Sequence, residues 1–237
     1  MRREVLKAEG LVFGYQDDPV INGVSISLRE GEVVAIYGPT GSGKTTLMLL
    51  LGGLLRPWEG EIYVLGQRLD ERNRSLRRYI GIAFQNPDDM FFNATVLDEI
   101  AYTSARIYGV EEGLRSAKII AEKLGIAHLL DKPPYKLSGG QKKLVSIAVA
   151  AAHNPKILLL DEPTTYLDQE AEEKVVRFIE ELRKYGVAIL VATHDMEFIC
   201  KAAQRSYMLI NGKLIPSPPT LKKPLCLCSR NVLGEFF

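Results

Sequence analysis

Eight consecutive residues carry the strongest chemical signal in this chain: Gly38-Pro39-Thr40-Gly41-Ser42-Gly43-Lys44-Thr45 fits the pattern G-x-x-x-x-G-K-[ST]. Glycines at this spacing let successive backbone N–H groups converge on phosphate oxygens, and a helix starting there adds its positive end. Lys44 then reaches the β and γ phosphates of a nucleoside triphosphate, and the Thr45 hydroxyl is placed to ligate Mg²⁺. Thr46 opens the helical run to Leu55 and belongs with the phosphate-binding set. A glycine-rich turn that matches by chance is the bland alternative. It loses because the apolar strand Val33 to Tyr37 precedes the motif and a helix follows it, which is the context the chemistry needs.

A second segment, Ile157-Leu158-Leu159-Leu160-Asp161-Glu162, is an apolar strand that ends in two acids. Asp161, at the strand's end, is suited to orient Mg²⁺ through its water shell, and Glu162 to polarise an attacking water as general base. Acids at a helix N-terminus would look similar, but the phosphate loop upstream tilts the balance. A third segment, Leu137-Ser138-Gly139-Gly140-Gln141, opens a long helical run and offers hydroxyl and N–H donors to an anion. Taken singly, a Ser-Gly-Gly start is more often a helix cap than a ligand site.

These residues need elements to hold them. Val5 to Phe13 and Val24 to Leu28 alternate as half-buried antiparallel strands, whereas Glu32 to Tyr37 and Lys156 to Leu160 are apolar runs of the buried, parallel type. Helical periodicity appears after Gly43, from Leu97 to Tyr108, Glu111 to Leu124, Gly139 to Ala152, Gln169 to Lys184 and Met196 to Ala203. The alternation predicts an α/β core with its chemistry on the loops at the strand C-termini. A mostly helical block from about Asp88 to Pro134 interrupts the strands, and an antiparallel portion precedes the first helix. Tyr207 to Ile210 and Lys213 to Ile215 flank Asn211-Gly212, the favoured pair of a type I′ hairpin. Beyond it, Pro216, Pro218, Pro219 and Pro224 with Lys222 and Lys223 read as an extended tail.

Composition narrows the classes. The chain has 237 residues, 46% hydrophobic and 25% charged, with 30 Lys plus Arg against 29 Asp plus Glu, a formal charge of +1. That is an ordinary globular balance, and it argues against a basic nucleic-acid surface. Leu47 to Leu55 and Val145 to Ala152 are the longest apolar stretches, well short of the roughly 18 residues of a spanning helix. Glu4, Lys7 and Glu9 interrupt the place where a signal peptide would be apolar, so a cytoplasmic location is expected. Three cysteines, Cys200, Cys226 and Cys228, give no disulfide framework, and reduced thiols are the default. Cys226-x-Cys228 alone is a poor metal site.

In this order the motifs resemble the ATP-binding subunits of ABC transporters, over a span from about Val5 to Ile215. The resemblance implies a P-loop NTPase core with a mainly parallel sheet, an N-terminal antiparallel β subdomain and an inserted helical subdomain over about 88–135. It makes residues 1–215 one ATP-binding domain and residues 216–237 a tail. Tyr15 matches the aromatic that stacks on adenine. Gln85, in Phe84-Gln85-Asn86-Pro87, matches the lid glutamine near Mg²⁺ and water. Ser138, Gly139, Gly140 and Gln141 match the signature that closes over ATP held by another subunit. Asp168 matches the acid of the inter-subunit loop, and His194 the switch histidine at the γ-phosphate. ATP and Mg²⁺ are thus the expected cofactors, with Thr45, Gln85 and Asp161 around the metal. The working form implied is a head-to-tail dimer, either a homodimer or a pair with a related chain, that sandwiches two ATP molecules.

Asp88-Asp89-Met90-Phe91-Phe92, together with Thr95 to Ala101 and Leu137 to Lys143, is more narrowly similar to the energy-coupling-factor and cobalt-type import ATPases. There the segment after the lid glutamine receives helices of an integral membrane subunit. Met90, Phe91 and Phe92 would otherwise simply pack the helical subdomain. The chain departs from the family at Tyr166, where a small residue is usual, at Gln169 for Pro, and at Leu144 for Arg. The function implied is an ATPase subunit, peripheral on the cytoplasmic side of the cell membrane, powering import of a transition metal ion or vitamin. The alternative is a soluble ATPase that drives assembly, as in iron–sulfur cluster biogenesis.

Overall fold

The computed structural model describes residues 2–217. Of the tail expected over residues 216–237, Pro216 instead closes the last described strand, paired with Tyr207, and the residues from Pro218 onward, with Cys226 and Cys228, lie outside the described residues.

Two sheets organise the chain. The antiparallel one runs β2-β1-β4-β5, from β1 (Glu4–Phe13), β2 (Ile21–Arg29), β4 (Glu59–Val64) and β5 (Gln67–Arg68). The other has the order β10-β9-β3-β8-β7-β6, built from β3 (Val33–Tyr37), β6 (Ile80–Ala83), β7 (Ile157–Asp161), β8 (Ala188–Ala192), β9 (Arg205–Ile210) and β10 (Lys213–Pro216). Pairing is parallel from β6 through β9, and only the β9–β10 hairpin is antiparallel. Six α-helices complete the fold of the described residues: α1 (Lys44–Leu51), α2 (Val96–Tyr108), α3 (Val110–Lys123), α4 (Gly139–Ala151), α5 (Gln169–Lys184) and α6 (Met196–Ala202). The mixed architecture and the helices agree with the sequence patterns to within a few residues. The hairpin turn does too, since Asn211 (φ 48°) and Gly212 (φ 71°) are both left-handed, as a type I′ turn requires.

The apolar runs of β7 and β8 are explained by burial on both faces, every residue of each strand being buried. Side chains alternate across the sheet, so β7 serves two cores. Leu158 and Leu160 join α2, α3, α4 and α5 on one side; Ile157 and Leu159 join α1 and the antiparallel sheet on the other. Four strands, β4, β5, β6 and β8, go beyond those the sequence patterns single out. The four residues of β6 include Gly81, and α4 crosses so close there that a Cβ would sit 2.0 Å from the Ala150 carbonyl oxygen. A bulkier, more recognisable strand would not fit under that helix.

Helix starts follow their caps. Thr95 Oγ1 accepts from the Asp98 N–H to open α2, and Asp195 accepts from the Phe198 N–H to open α6. One expectation is corrected: Cys200 is disulfide-bonded rather than reduced. Among the described residues no helix is long and apolar enough to cross a membrane.

Just beyond α4, His153 is 4% exposed and its Nδ1 has no hydrogen-bond partner. Burial lowers its pKa from the ordinary 6.5, against an opposing backbone hydrogen bond at Ile80. A histidine held neutral in the fold stabilises fully above the unfolded value and loses that contribution as pH falls and the unfolded chain binds a proton. The melting temperature should therefore fall between pH 7 and pH 5, and His153→Gln should flatten that slope. Parallel slopes for the two proteins would show that another group governs acid sensitivity.

Candidate functional site

Four adjacent strands of the parallel sheet, β3, β8, β7 and β6, end on the same edge, and each hands the chain to a segment carrying a predicted site residue. After β3 comes the glycine loop, after β8 Thr193-His194, at the end of β7 Asp161-Glu162, and two residues past β6 Gln85.

The loop turns through Gly38, Gly41 and Gly43, with φ of 153°, 82° and 99°. Gly43 caps α1 with no side-chain hydrogen bond, so the first N–H groups of the helix have no side chain competing for them. Lys44 Nζ folds back and donates to the carbonyl oxygens of Gly38 (2.9 Å) and Pro39 (3.1 Å). Ser42 Oγ is buried without any hydrogen-bond partner. An orphaned hydroxyl, an uncapped helix start and a folded-back ammonium in one loop are the donor set that a polyphosphate satisfies. Pro39 and Thr40 form the exposed lip of the loop.

Thr45 Oγ1 donates to Asp161 Oδ2 at 2.6 Å and so joins the loop to the second acidic strand. This hydroxyl–carboxylate pair suits a divalent cation coordinated through both oxygens or their waters. Burial pushes the Asp161 carboxyl pKa up, the neighbouring Glu162 adds to the shift, and the Thr45 hydrogen bond with the Lys143 and Lys44 cations works against it. Glu162 is 6% exposed and sits at φ 49°, a left-handed conformation rare for a residue with a long side chain. Its N–H donates to the Ala192 carbonyl, and its Oε2 lies 3.1 Å from the Thr193 hydroxyl donor and 3.0 Å from His194 Nδ1. The carboxylate thus has two partners at its buried end, while the His194 side chain remains largely exposed.

Tyr15 extends beyond β1, 62% exposed, with its ring edge-on to Phe13 at 5.3 Å and its hydroxyl 3.3 Å from Thr46 Oγ1. An aromatic face is therefore presented beside α1. Gln85 is exposed, and its backbone oxygen accepts a hydrogen bond from Lys143 Nζ at 2.8 Å.

A second group lies at the start of α4. Ser138 and Gln141 form a capping box, the Ser138 hydroxyl accepting from the Gln141 N–H and the Gln141 side chain accepting from the Ser138 N–H. The cap and ligand readings coexist, because capping uses an acceptor lone pair and leaves the hydroxyl proton to donate. Gly139 lies under the Tyr166 ring, and a Cβ on Gly140 would come 2.8 Å from the Tyr166 carbonyl oxygen. Asp168 caps α5 by accepting from the Ala171 N–H at 2.8 Å. Among the described residues, hydrogen bonds unite Lys44's loop, Thr45, Asp161, Glu162 and His194 in one cluster, and none joins Ser138 or Asp168 to Lys44.

Sequence reasoning missed Lys143. It is 0% exposed, and burial brings its ammonium pKa down to about 8 although the Asp161 and Glu162 charges pull upward. The signal available was a second lysine in Lys142-Lys143 at a position of α4 where neighbours are apolar.

The fold and this phosphate site define a P-loop ATPase. The ABC transporter family profile matches residues 21–165, and the chain belongs to that family as an ABC ATPase that binds ATP. The energy-coupling factor transporter ATP-binding protein EcfA1 of Mycoplasma pneumoniae is 42% identical over 209 residues, 87% of this chain and 76% of that protein. The structure of CbiO1 from Clostridium perfringens, part of the ABC transporter complex cbiONQ, superposes with a TM-score of 0.78 at 34% identity, over 90% of this chain and 87% of that one. A dimeric ATP-binding cassette in a post-hydrolysis state with ADP and Pi gives 0.83 at 28% identity, over 92% of this chain and 100% of that chain.

Lys44→Ala removes the side-chain cation that folds across the loop, so ATP affinity should drop on the order of tenfold or more. Equilibrium titration with a fluorescent ATP analogue checks it, and unchanged affinity would remove Lys44 from the phosphate site.

Proposed function

We propose that this chain is the ATP-hydrolysing subunit of a membrane importer, working in a pair of ATPase subunits on the cytoplasmic side of the membrane and taking up a transition metal ion or vitamin. The single observation that carries the catalytic part is the direct linkage of Thr45 to Asp161 and of Glu162 to Thr193 and His194 at one sheet edge. The transport part is supported by the relatives, EcfA1 and CbiO1, whose names place them in energy-coupling and cbiONQ complexes.

In this reading, residues 38–46 hold the triphosphate through backbone N–H groups, Ser42 and Lys44, and Tyr15 supports the base. Thr45, Asp161 and Gln85 are the residues that would hold Mg²⁺, which when bound neutralises charge on the β and γ phosphates. Glu162 accepts the proton of the attacking water, and the Thr193 and His194 contacts fix the carboxylate's orientation. Ser138, with the N–H groups of Gly139 and Gly140, supplies donors to the γ-phosphate on a second subunit, and Asp168 lies beside that contact. Two phosphate-directed groups with no hydrogen bond between them in one chain support a site completed by a partner.

The membrane contact falls on residues 88–92. Phe91 is turned inward against the helical core, which answers part of the packing alternative, whereas Phe92 is 68% exposed and stands edge-on to Tyr102 at 4.8 Å. Two exposed aromatic rings on the rim of the helical block suit a protein partner.

Glu162→Gln should keep ATP affinity while lowering turnover by about two orders of magnitude or more, the scale of a lost general base. Parental turnover would overturn the assignment. Phe92→Asp should leave the ATPase rate of the isolated chain within about twofold, as exposed substitutions usually do, and abolish co-purification with membrane proteins. The transport reading itself is tested by capturing Glu162→Gln with MgATP from detergent-solubilised cells. Recovery of small, highly hydrophobic integral proteins supports it, and recovery of soluble partners alone turns the reading to an assembly ATPase.

A further inference from the structure

The largest fully buried side chain of the described residues that carries a charge is Lys143, on the second turn of α4. An ammonium has three N–H donors and no acceptor. Here all three are met by main-chain oxygens: Gln85 at 2.8 Å, Phe84 at 3.0 Å and Asp161 at 3.3 Å. These acceptors lie on two parallel neighbours that have just separated. The β6–β7 ladder pairs Ala83 with Leu160 as its last rung, and the residues bound by Lys143 follow directly after. The ammonium therefore takes over where the strands stop bonding each other, and holds the two exits at one spacing.

The same helix makes a second attachment one residue earlier. Lys142 Nζ reaches Asp88 Oδ1 at 2.6 Å, on the single-turn helix Pro87–Asp89 that continues the Gln85 segment. α4 thus grips residues 84–88 at three points and the end of β7 at one, while its own first turn is the Ser138–Gln141 cap. A buried ammonium without full hydrogen bonding is too costly to persist, so a lysine retained here with every donor satisfied is a built connection rather than incidental filling. A leucine or methionine would pack the same stem without holding any backbone.

We propose that Lys143 is a positioning residue for ATP hydrolysis: its ammonium sets the spacing between the Gln85 segment and the Asp161 strand end, and ties both to the helix that begins at Ser138. The inference rests on the assignment of Gln85, Asp161 and Glu162 to the hydrolytic site. Its consequence is mechanical. A displacement of the Ser138 end of α4 moves the Gln85 backbone and the Asp161 carbonyl as one body, because the same nitrogen holds them.

The test compares Lys143→Met and Lys143→Arg with the parent, in the full chain, by ATPase kinetics, fluorescent-nucleotide titration and amide hydrogen exchange. Lys143→Met should lower kcat by about 10- to 100-fold, the scale of a roughly 1 Å misplacement of reacting groups. ATP affinity should stay within about threefold, since Lys44 and its loop are untouched, and exchange should quicken at residues 84–90. Lys143→Arg, which restores donors and charge, should recover much of kcat. Parental kcat in Lys143→Met overturns the proposal, as does a parallel loss of kcat and affinity that arginine does not rescue. Should Lys143→Met fail to fold, Lys143→Gln replaces it, its amide supplying two donors. Glu162→Gln is run alongside: normal turnover there would mean that the site assignment has failed, whereas its loss beside an active Lys143→Met would mean that only the Lys143 inference has.

Discussion

Two carboxylates placed at the end of a strand buried on both faces are the constraint around which this fold is arranged. Asp161 and Glu162 are 2% and 6% exposed, at a depth where an unpartnered carboxylate would take up a proton or force the chain apart. Each of their compensations arrives from a different element. Thr45 comes from the start of α1, Thr193 and His194 from the end of β8, and Lys143 from α4. The strand order puts β8 between β3 and β7, so hydroxyl, imidazole and carboxylates meet at one edge without any long loop. What looks like a list of separate motifs is the set of groups that give two buried acids their hydrogen-bond partners.

The helical side of the molecule answers to the same edge. α4 lies directly on β6, which is why Gly81 can carry no side chain, and this closeness is what lets a lysine stem on α4 reach past β6 to the end of β7. Farther out, Glu99 on α2 is 1% exposed and accepts from the N–H groups of Phe92 (3.1 Å) and Asn93 (2.6 Å). A charge-assisted clamp of that kind fixes the backbone that carries the exposed Phe92 ring. From Asp161 to Phe92 the contacts run through Lys143, the 84–88 segment and the Glu99 clamp on α2.

Much of this was legible in the residues. The glycine loop, the apolar strand ending in Asp161-Glu162, the Asn211-Gly212 turn and the helix boundaries all rest on local rules, in which the chain's own neighbours set the conformation. The weak readings were those that depend on distant contacts. β6 has four residues and a glycine, and its identity as a strand comes from β7 beside it and α4 above it, not from its own pattern. Lys143 looked like one more solvated lysine in Gln141-Lys142-Lys143, and only packing separates it from Lys142, whose ammonium stays at the surface with Asp88. Phe91 and Phe92 are neighbours of one residue type, yet one faces the core and the other solvent, a difference set by the Glu99 clamp. Cys200 was misjudged for a similar reason, since the pairing of a cysteine has no local signature.

Several polar groups in the site are satisfied in a way that can be exchanged without loss. Lys44 donates to two carbonyl oxygens of its own loop, the Ser138 oxygen accepts one N–H and keeps its proton, and Thr45 donates to Asp161. Phosphate oxygens offer Lys44 charged acceptors in place of neutral ones, which adds ion pairing to the hydrogen bonds. A rearrangement of this kind needs a rotation of side chains and no refolding of the loop, whose glycines already hold its shape. Glu162 is different: its left-handed backbone and two partners leave it little freedom, and in the proposed reading a base so held acts only when water and phosphate are brought to it. The hydrogen bonds themselves divide the site into adaptable donors on the glycine loop and at Ser138, and a fixed acid at the buried end of β7.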